Sequence, residues 1–145
     1  MRTSTPPAPL ADPALHARPA NLAPIAFHLR HIVRSLDRLL TYAEGNQLSP
    51  AQLEALRTEL HPDTPKAALL EEFHHGIDAA LQRIRTFATA NIEQPRAVGR
   101  RALPTTVGGL LVHCADHTQR HAGQAVTTAK FFASSVPSHP DLHER

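Results

Sequence analysis

The sequence contains no tryptophan, one tyrosine, one methionine and one cysteine among its 145 residues. Because large aromatic side chains are so scarce, the core has to be built from aliphatic residues and alanine, which suits closely packed helices better than a sheet. The single cysteine, Cys114, excludes an internal disulfide and is typical of a reducing compartment. These absences favour a helical protein that folds without covalent cross-links.

A long apolar run is also missing. No stretch approaches the roughly 18 apolar residues of a membrane-spanning helix, and the N-terminal segment lacks the apolar centre of a secretion signal. The 15 lysines and arginines are nearly balanced by 13 acidic residues, which is too even to predict a nucleic-acid-binding surface. We therefore expect a soluble cytoplasmic protein that binds neither membranes nor nucleic acid.

The common catalytic motifs are absent as well. The sequence has no Walker loop, no dinucleotide fingerprint, no Cys-x-x-Cys pair, no Gly-x-Ser-x-Gly elbow and no His-Glu-x-x-His motif. Catalytic residues therefore cannot be assigned from a motif, and a zinc-protease mechanism has no glutamate base.

Proline is abundant, and its distribution divides the chain. Five of the thirteen prolines fall within residues 1–22, which predicts an extended, mobile N-terminal arm because proline is costly inside a helix. Residues 23–135 are predicted to form one bundle domain, and residues 136–145 a disordered tail.

Apolar residues spaced three and four apart predict four helices within this domain. The predicted ranges are 24–44, 50–60, 66–90 and 105–134. Ser49 is the expected N-cap of the second helix, and Thr105 or Thr106 that of the last. Residues 91–104 are predicted to be a loop, and no segment alternates with the period of a strand. The fold class is therefore all-α, an antiparallel bundle.

The last helix is expected to pack most closely, because the side predicted to face the core is mostly small. That side consists of Leu111, Ala115, Ala122, Ala125, Ala129 and Phe132.

Eleven histidines are the most unusual feature of the composition. His113, His117 and His121 are spaced four apart on the last helix, and neutral imidazoles are common ligands of divalent transition metals. All three cannot bind one ion, since each step of four residues climbs about 6 Å. One pair is therefore predicted to bind, with a third ligand from another helix.

The first long helix offers two candidates for that third ligand. His28 lies nearer the apolar side of the helix, and His31 flanks it. Gln124, one turn beyond His121, is expected either to hydrogen-bond a ligating imidazole or simply to pack. Cys114 is expected to be a buried structural thiol.

The segments HLRHIVRSLDRLL and HTQRHAGQ resemble the DinB-like superfamily, helical-bundle proteins that include the YfiT-type metal-dependent hydrolases. The resemblance covers about residues 20–135 and implies a four-helix bundle with one metal on three histidines. His31 matches the first ligand, in a pattern like LxHL, and His117 and His121 match an HxxxHxxGQ-like signature that Gly123 and Gln124 complete. The family often has histidine where this chain has Arg120.

One departure from the family concerns its first helix, which is missing here or replaced by the proline-rich arm. A bundle of only three long helices would then have one apolar flank uncovered. The short helix at 50–60 could cover it, a second subunit could, or the recorded start could truncate the protein. A homodimer is the favoured expectation.

The resemblance implies a metal-dependent hydrolase, or a transferase that uses a low-molecular-weight thiol, acting on a small molecule. Imidazole ligands suit several metals, with zinc the first choice and nickel the second. Asp37 and Asp116 are the only acids close to the ligands in sequence, and neither clearly shares their face. The alternative is therefore a non-catalytic metal-binding or stress-response module, with a structural metal or none.

Overall fold

The computed structural model describes residues 11–135 of the chain, and most of them are helical. The α-helices are α1 (Asp12–His16), α2 (Ile25–Ala43), α3 (Pro50–Arg57), α4 (Lys66–Arg85) and α5 (Val107–Ser135). Short 3-10 turns span Pro19–Asn21 and Thr86–Thr89, and two strands, β1 (Pro95–Val98) and β2 (Leu103–Thr106), form a hairpin. The predicted all-α bundle is confirmed.

Helix α2 is the centre of the bundle. It packs along both α4 and α5, whereas α4 and α5 contact each other little. Pairs such as His28 with His121 and His31 with His117 show that α2 and α5 run antiparallel. The main core between these helices consists of Ile32, Val33, Leu36, Leu40, Ala80 and Cys114. None of the helices in the described part is both long and apolar enough to cross a bilayer.

The hairpin corrects the prediction of a loop over 91–104. β1 and β2 pair antiparallel, with Val98 opposite Leu103, and the turn between them uses positive φ at Gly99 and Ala102. Strands of four residues are too short to display a period of two. Thr106 accepts a hydrogen bond from the backbone N–H of Gly109, so it caps α5 as one of the two predicted candidates.

The predicted core-facing side of the last helix is wrong at two positions. Ala115 and Ala122 are exposed, while Leu110, Cys114 and Thr128 are buried. His117 and His121 lie on the side of α5 that faces α2. The core-facing side of the helix therefore differs from the predicted one.

Part of the predicted N-terminal arm is helical. Pro13 lies in the first turn of α1, where proline is tolerated, and Leu15 is buried against Ile25 and Leu69. The extended conformation expected for residues 1–22 is therefore not found in this stretch. Residues 1–10 and the predicted tail, 136–145, lie outside the described residues, and the domain boundaries stay predictions.

Helix α3 begins as predicted, with Ser49 in a capping box with Gln52. The Gln52 amide donates to Asp37 and Thr41 on α2, which places α3 on that side of the bundle. Helix α3 therefore leaves uncovered the apolar flank between α4 and α5.

Candidate metal centre

Four histidines meet where the N-terminal half of α2 crosses the middle of α5. His28 and His31 lie one turn apart on α2, and His117 and His121 lie one turn apart on α5. An antiparallel pair of helices brings these two turns face to face, with ring centroids 4.4 Å apart for His31 and His121 and 4.9 Å apart for His31 and His117.

Three of these rings offer nitrogens close enough to share one ion. Ligand atoms of His31, His117 and His121 all lie within 4.8 Å of one another, and the Nε2 atoms of His31 and His117 are 2.9 Å apart. Two imidazole nitrogens on one tetrahedral zinc lie about 3.3 Å apart, given zinc–nitrogen bonds of about 2.05 Å. Small ring movements would therefore bring the triad to a metal-binding geometry, so these residues fit a transition metal.

Glu59 fixes the ring of His31 from outside the cluster. Its Oε2 lies 2.6 Å from Nδ1 of His31, and its Oε1 accepts a hydrogen bond of 2.7 Å from Arg38. Because a carboxylate only accepts, Nδ1 of His31 carries the proton, and Nε2 is the unprotonated nitrogen that faces Nε2 of His117 and the Ser35 hydroxyl. Such an outer partner orients a ligating imidazole and raises its basicity.

His28 is a hydrogen-bond partner of His121, as Glu59 is of His31. The two Nδ1 atoms are 3.0 Å apart, so one ring donates a hydrogen bond and the other accepts. When His28 accepts, His121 is protonated on Nδ1 and its Nε2 lone pair is free. His28 is only 4% exposed, deeper than any member of the triad. His28 therefore lies behind the triad as a partner of His121.

Phe27 covers one side of the cluster. Its ring stacks on His31 at a centroid distance of 5.1 Å and meets His28 and His121 edge-on. On another side, His28 lines a surface cavity of about 370 Å³. Its polar lining also includes Arg120, Gln124, Thr127 and Thr128. Of the four clustered histidines, only His28 lines this cavity, so the cavity reaches the cluster from behind the triad.

The electrostatic setting favours the neutral form of three of these imidazoles, those of His28, His117 and His121. Burial lowers the pKa of His28 from the usual 6.5 to about 4, and His121 and His31 lower it further by charge repulsion. Burial, with repulsion from His121 and His31, likewise lowers the pKa of His117 to about 4, and burial lowers that of His121. A neutral imidazole has a lone pair available, which is the form that binds metal.

The buried carboxyl of Glu59 is held in its ionised form. Burial opposes its ionisation, but hydrogen bonds from His31 and Arg38 outweigh burial, so the pKa of Glu59 is lowered. The ionised carboxylate is the form that can accept the proton of His31 Nδ1.

Other residues singled out in the sequence are not members of the triad. His113 is exposed and only stacks on His117, at 5.6 Å. Asp37 pairs with Arg83, and Asp116 pairs with Arg120. Gln124 is exposed, and no hydrogen bond to a triad member is found for it within residues 11–135.

Cys114 is buried beneath α2, and burial raises the pKa of its thiol to about 11. The prediction of a buried structural thiol fits this position.

Glu59 and Phe27 are the neighbours of the triad that sequence reasoning missed. Glu59 is 28 residues from His31, beyond the end of α3, and no spacing rule connects them. Phe27 could have been noticed, because it lies four residues before His31 on the same helix.

A family model described as the DinB superfamily matches residues 7–125, well over half of the chain. The matched range includes all four clustered histidines and Glu59. No curated protein and no solved structure matches the chain.

Proposed function

The chain belongs to the DinB superfamily, and on this basis we propose that it is a metal-dependent enzyme acting on a small-molecule substrate. The observation that supports this most is the convergence of His31, His117 and His121 from two helices. We propose that these three imidazoles hold one divalent transition metal, with zinc the first choice and nickel the second.

A bound ion of this kind would supply Lewis-acid activation, either of water for hydrolysis or of a low-molecular-weight thiol for group transfer. The chain itself orients the ligands. Glu59 holds His31, His28 holds His121, and Phe27 shields one side of the cluster. Because Glu59 already accepts from His31 and Arg38, it positions a ligand and does not face a substrate proton.

The second candidate is a non-catalytic module in which the ion joins α2 to α5. One observation favours it: among the described residues, no carboxylate apart from the engaged Glu59 is paired with a triad histidine. A site closed by four protein ligands would be structural, whereas a site with three leaves a position open.

Binding of cobalt(II) and then of a thiol separates the two candidates. We expect the untagged protein to take up one equivalent of cobalt(II), and 2-mercaptoethanol to add a sulfur-to-cobalt charge-transfer band in the near ultraviolet. An unchanged spectrum after thiol addition would instead favour the closed, non-catalytic site. His113→Ala is the matched control, since it removes an exposed imidazole of the same helix, and should behave like the wild type. Failure of the wild type to bind cobalt(II) would refute both candidates.

A further inference from the structure

The ring of His28 uses only one of its two nitrogens within the described residues. Nδ1 lies 3.0 Å from Nδ1 of His121, and this is the one hydrogen bond of the ring found within residues 11–135. Nε2 is not sealed inside the protein, because Nε of Arg30 is the one buried side-chain nitrogen or oxygen of this part that lacks a hydrogen bond. His28 is 4% exposed and lines the cavity of about 370 Å³, so a small solute can reach Nε2 from the cavity.

The tautomer that prepares His121 for a metal makes Nε2 of His28 a donor. In this tautomer His121 carries its ring hydrogen on Nδ1 and donates it to Nδ1 of His28. A neutral imidazole has one ring hydrogen, so that of His28 is on Nε2. A largely buried donor without an acceptor costs free energy. An acceptor in the cavity therefore stabilises the metal-binding tautomer of both rings.

The lining of the cavity favours an acceptor with negative charge. Arg120 contributes a guanidinium and Gln124 an amide, and no acidic residue lines the cavity. Arg120 donates a hydrogen bond of 2.6 Å to Asp116 on its own helix, outside the lining. Both partners of this pair are more than half exposed, so the pair contributes little, and it uses one of the five guanidinium N–H groups. The remaining N–H groups are available to a ligand.

The charge and the apolar part of the cavity indicate the chemical class of that ligand. Asp116 already places one negative charge beside Arg120, so a phosphate dianion would be repelled more strongly than a single carboxylate. Leu22, which is 37% exposed, and Ala23 form the apolar part of the wall. We propose that the cavity binds a short-chain monocarboxylate. Arg120 and the Nε2–H group of His28 hold the carboxylate, and the alkyl chain packs on Leu22.

The bound carboxylate acts on His121 as Glu59 acts on His31. Glu59 accepts directly from Nδ1 of His31. The ligand accepts from His28, which in turn accepts from Nδ1 of His121. In both cases an acceptor outside the triad leaves Nε2 of a proposed metal ligand unprotonated. This effect on the metal centre rests on the proposed function, whereas binding of the carboxylate to the metal-free protein does not.

Nuclear magnetic resonance of the full, untagged chain tests the site without metal. The probe is butyrate, added to EDTA-treated, nitrogen-15-labelled protein at neutral pH and constant ionic strength. We expect the ring nitrogens of His28 and the side-chain amide of Gln124 to shift saturably, with a dissociation constant in the millimolar range. Butyramide has the same shape without the charge and should cause no shift.

Three results of this titration would overturn the proposal: no saturable shift with butyrate, an equal shift with butyramide, or tighter binding of inorganic phosphate than of butyrate. None of them bears on cobalt(II) binding, which tests the metal centre separately. Conversely, a protein that binds butyrate but takes up no cobalt(II) would support the cavity site and refute the proposed function.

Variants of the ion pair test the role of Arg120. Arg120→Gln should weaken butyrate binding about tenfold, because a charge-assisted contact is lost. Arg57→Gln is the matched control, since Arg57 is also exposed and paired with an acid on its own helix, and should bind like the wild type. Asp116→Asn frees the guanidinium and should strengthen binding about twofold to threefold. Equal affinities for the wild type and Arg120→Gln, or weaker binding by Asp116→Asn, would contradict the assignment. Circular dichroism verifies that each variant is folded.

The connection through His28 is tested by metal affinity. Saturating butyrate should raise the cobalt(II) affinity of the wild type about threefold to tenfold, measured by competition with a chromophoric chelator. Arg120→Gln at the same butyrate concentration should show no such gain. An equal gain in Arg120→Gln would mean that butyrate binds the metal directly, and an unchanged affinity in the wild type would mean that the cavity is not coupled to the triad. Either result would refute the role of His28.

Discussion

The two ring nitrogens of His31 have different environments. Nδ1 faces the buried carboxylate of Glu59, and Nε2 faces His117 at 2.9 Å. The ion pair of Glu59 with Arg38, at 2.7 Å, keeps that carboxylate in place. The tautomer and orientation of a proposed ligand are thus set by residues that do not themselves reach the cluster, so Glu59 should matter for metal affinity.

We expect Glu59→Gln to weaken metal binding by about 10- to 100-fold, the usual effect of losing an outer partner of a ligating histidine. Competition with a chromophoric chelator measures this affinity. Glu72→Gln is the matched control, since the carboxylate of Glu72 pairs with Arg30 and Arg34 and not with a histidine of the cluster. Equal affinities for the wild type and Glu59→Gln would show that Glu59 has no part in orienting His31.

The lowered pKa values of His28 and His117 predict how stability depends on pH in the metal-free protein. Both values fall from 6.5 to about 4 on folding, so between these limits the unfolded chain binds more protons than the folded one. Stability is therefore fully present above about pH 6.5 and decreases as the pH falls toward about 4.

Urea unfolding of EDTA-treated protein at several pH values measures this dependence. His28→Gln removes one of the contributing groups and should give a shallower profile. A free energy of unfolding that stays constant from pH 7 to pH 4.5 would contradict the assignment.

The proposed metal ligands could be predicted from the sequence because His117 and His121 are four residues apart, and residues at this spacing lie close together on one side of a helix. His28 and His31 could not be separated from the residues alone. A helical wheel gives the direction of a side chain but not its depth, and both directions lead toward α5. Glu59 could not be predicted at all, since its position depends on how the segment after α3 returns to α2.

At the scale of elements, α4 approaches α2 closely at Gly76. A Cβ atom added at Gly76 would lie 2.4 Å from Cβ of Val33, so the helices touch at a position where only glycine fits. The sequence presents Gly76 as a weak point in a helix, yet its lack of a side chain is what allows the contact.

Gly76→Ala should therefore destabilise the protein by about 1–2 kcal/mol, because overpacking outweighs the gain in helix propensity. Gly123→Ala is the control with the opposite sign. No atom lies within 4 Å of a Cβ built there, so a gain of about 0.5–1 kcal/mol is expected. Chemical denaturation gives the free energy of unfolding of both variants. A more stable Gly76→Ala variant would show that α2 and α4 can move apart without loss of stability.

The long helices were predictable because their apolar spacing extends over many turns. The observed ranges of α2 and α4 lie within the predicted ones. The hairpin was not predicted. Each strand has only four residues, and the prolines in the strands and the glycine in the turn are typical of a loop. The side of α5 that faces the core was predicted wrongly, because alanines were assumed to mark that side. In the structure, histidines and Thr128 lie on the side toward α2.

At the scale of the whole molecule, α2 has several partners at once. It packs on α4 through apolar residues, on α5 through apolar residues and the histidines, and on α3 through polar side chains. A helix with partners on three sides positions His31 more rigidly than a peripheral helix could. The bundle class and the helices involved followed from the sequence, whereas the uncovered flank between α4 and α5 required the packing to be seen.

The most direct test of the central claim is elemental analysis of protein purified without a His-tag, for the wild type, His117→Ala and His113→Ala. If imidazoles from α2 and α5 share one ion, the wild type and His113→Ala will each carry one equivalent of a transition metal per chain, and His117→Ala will carry none. Equal metal contents in the wild type and His117→Ala would contradict the claim.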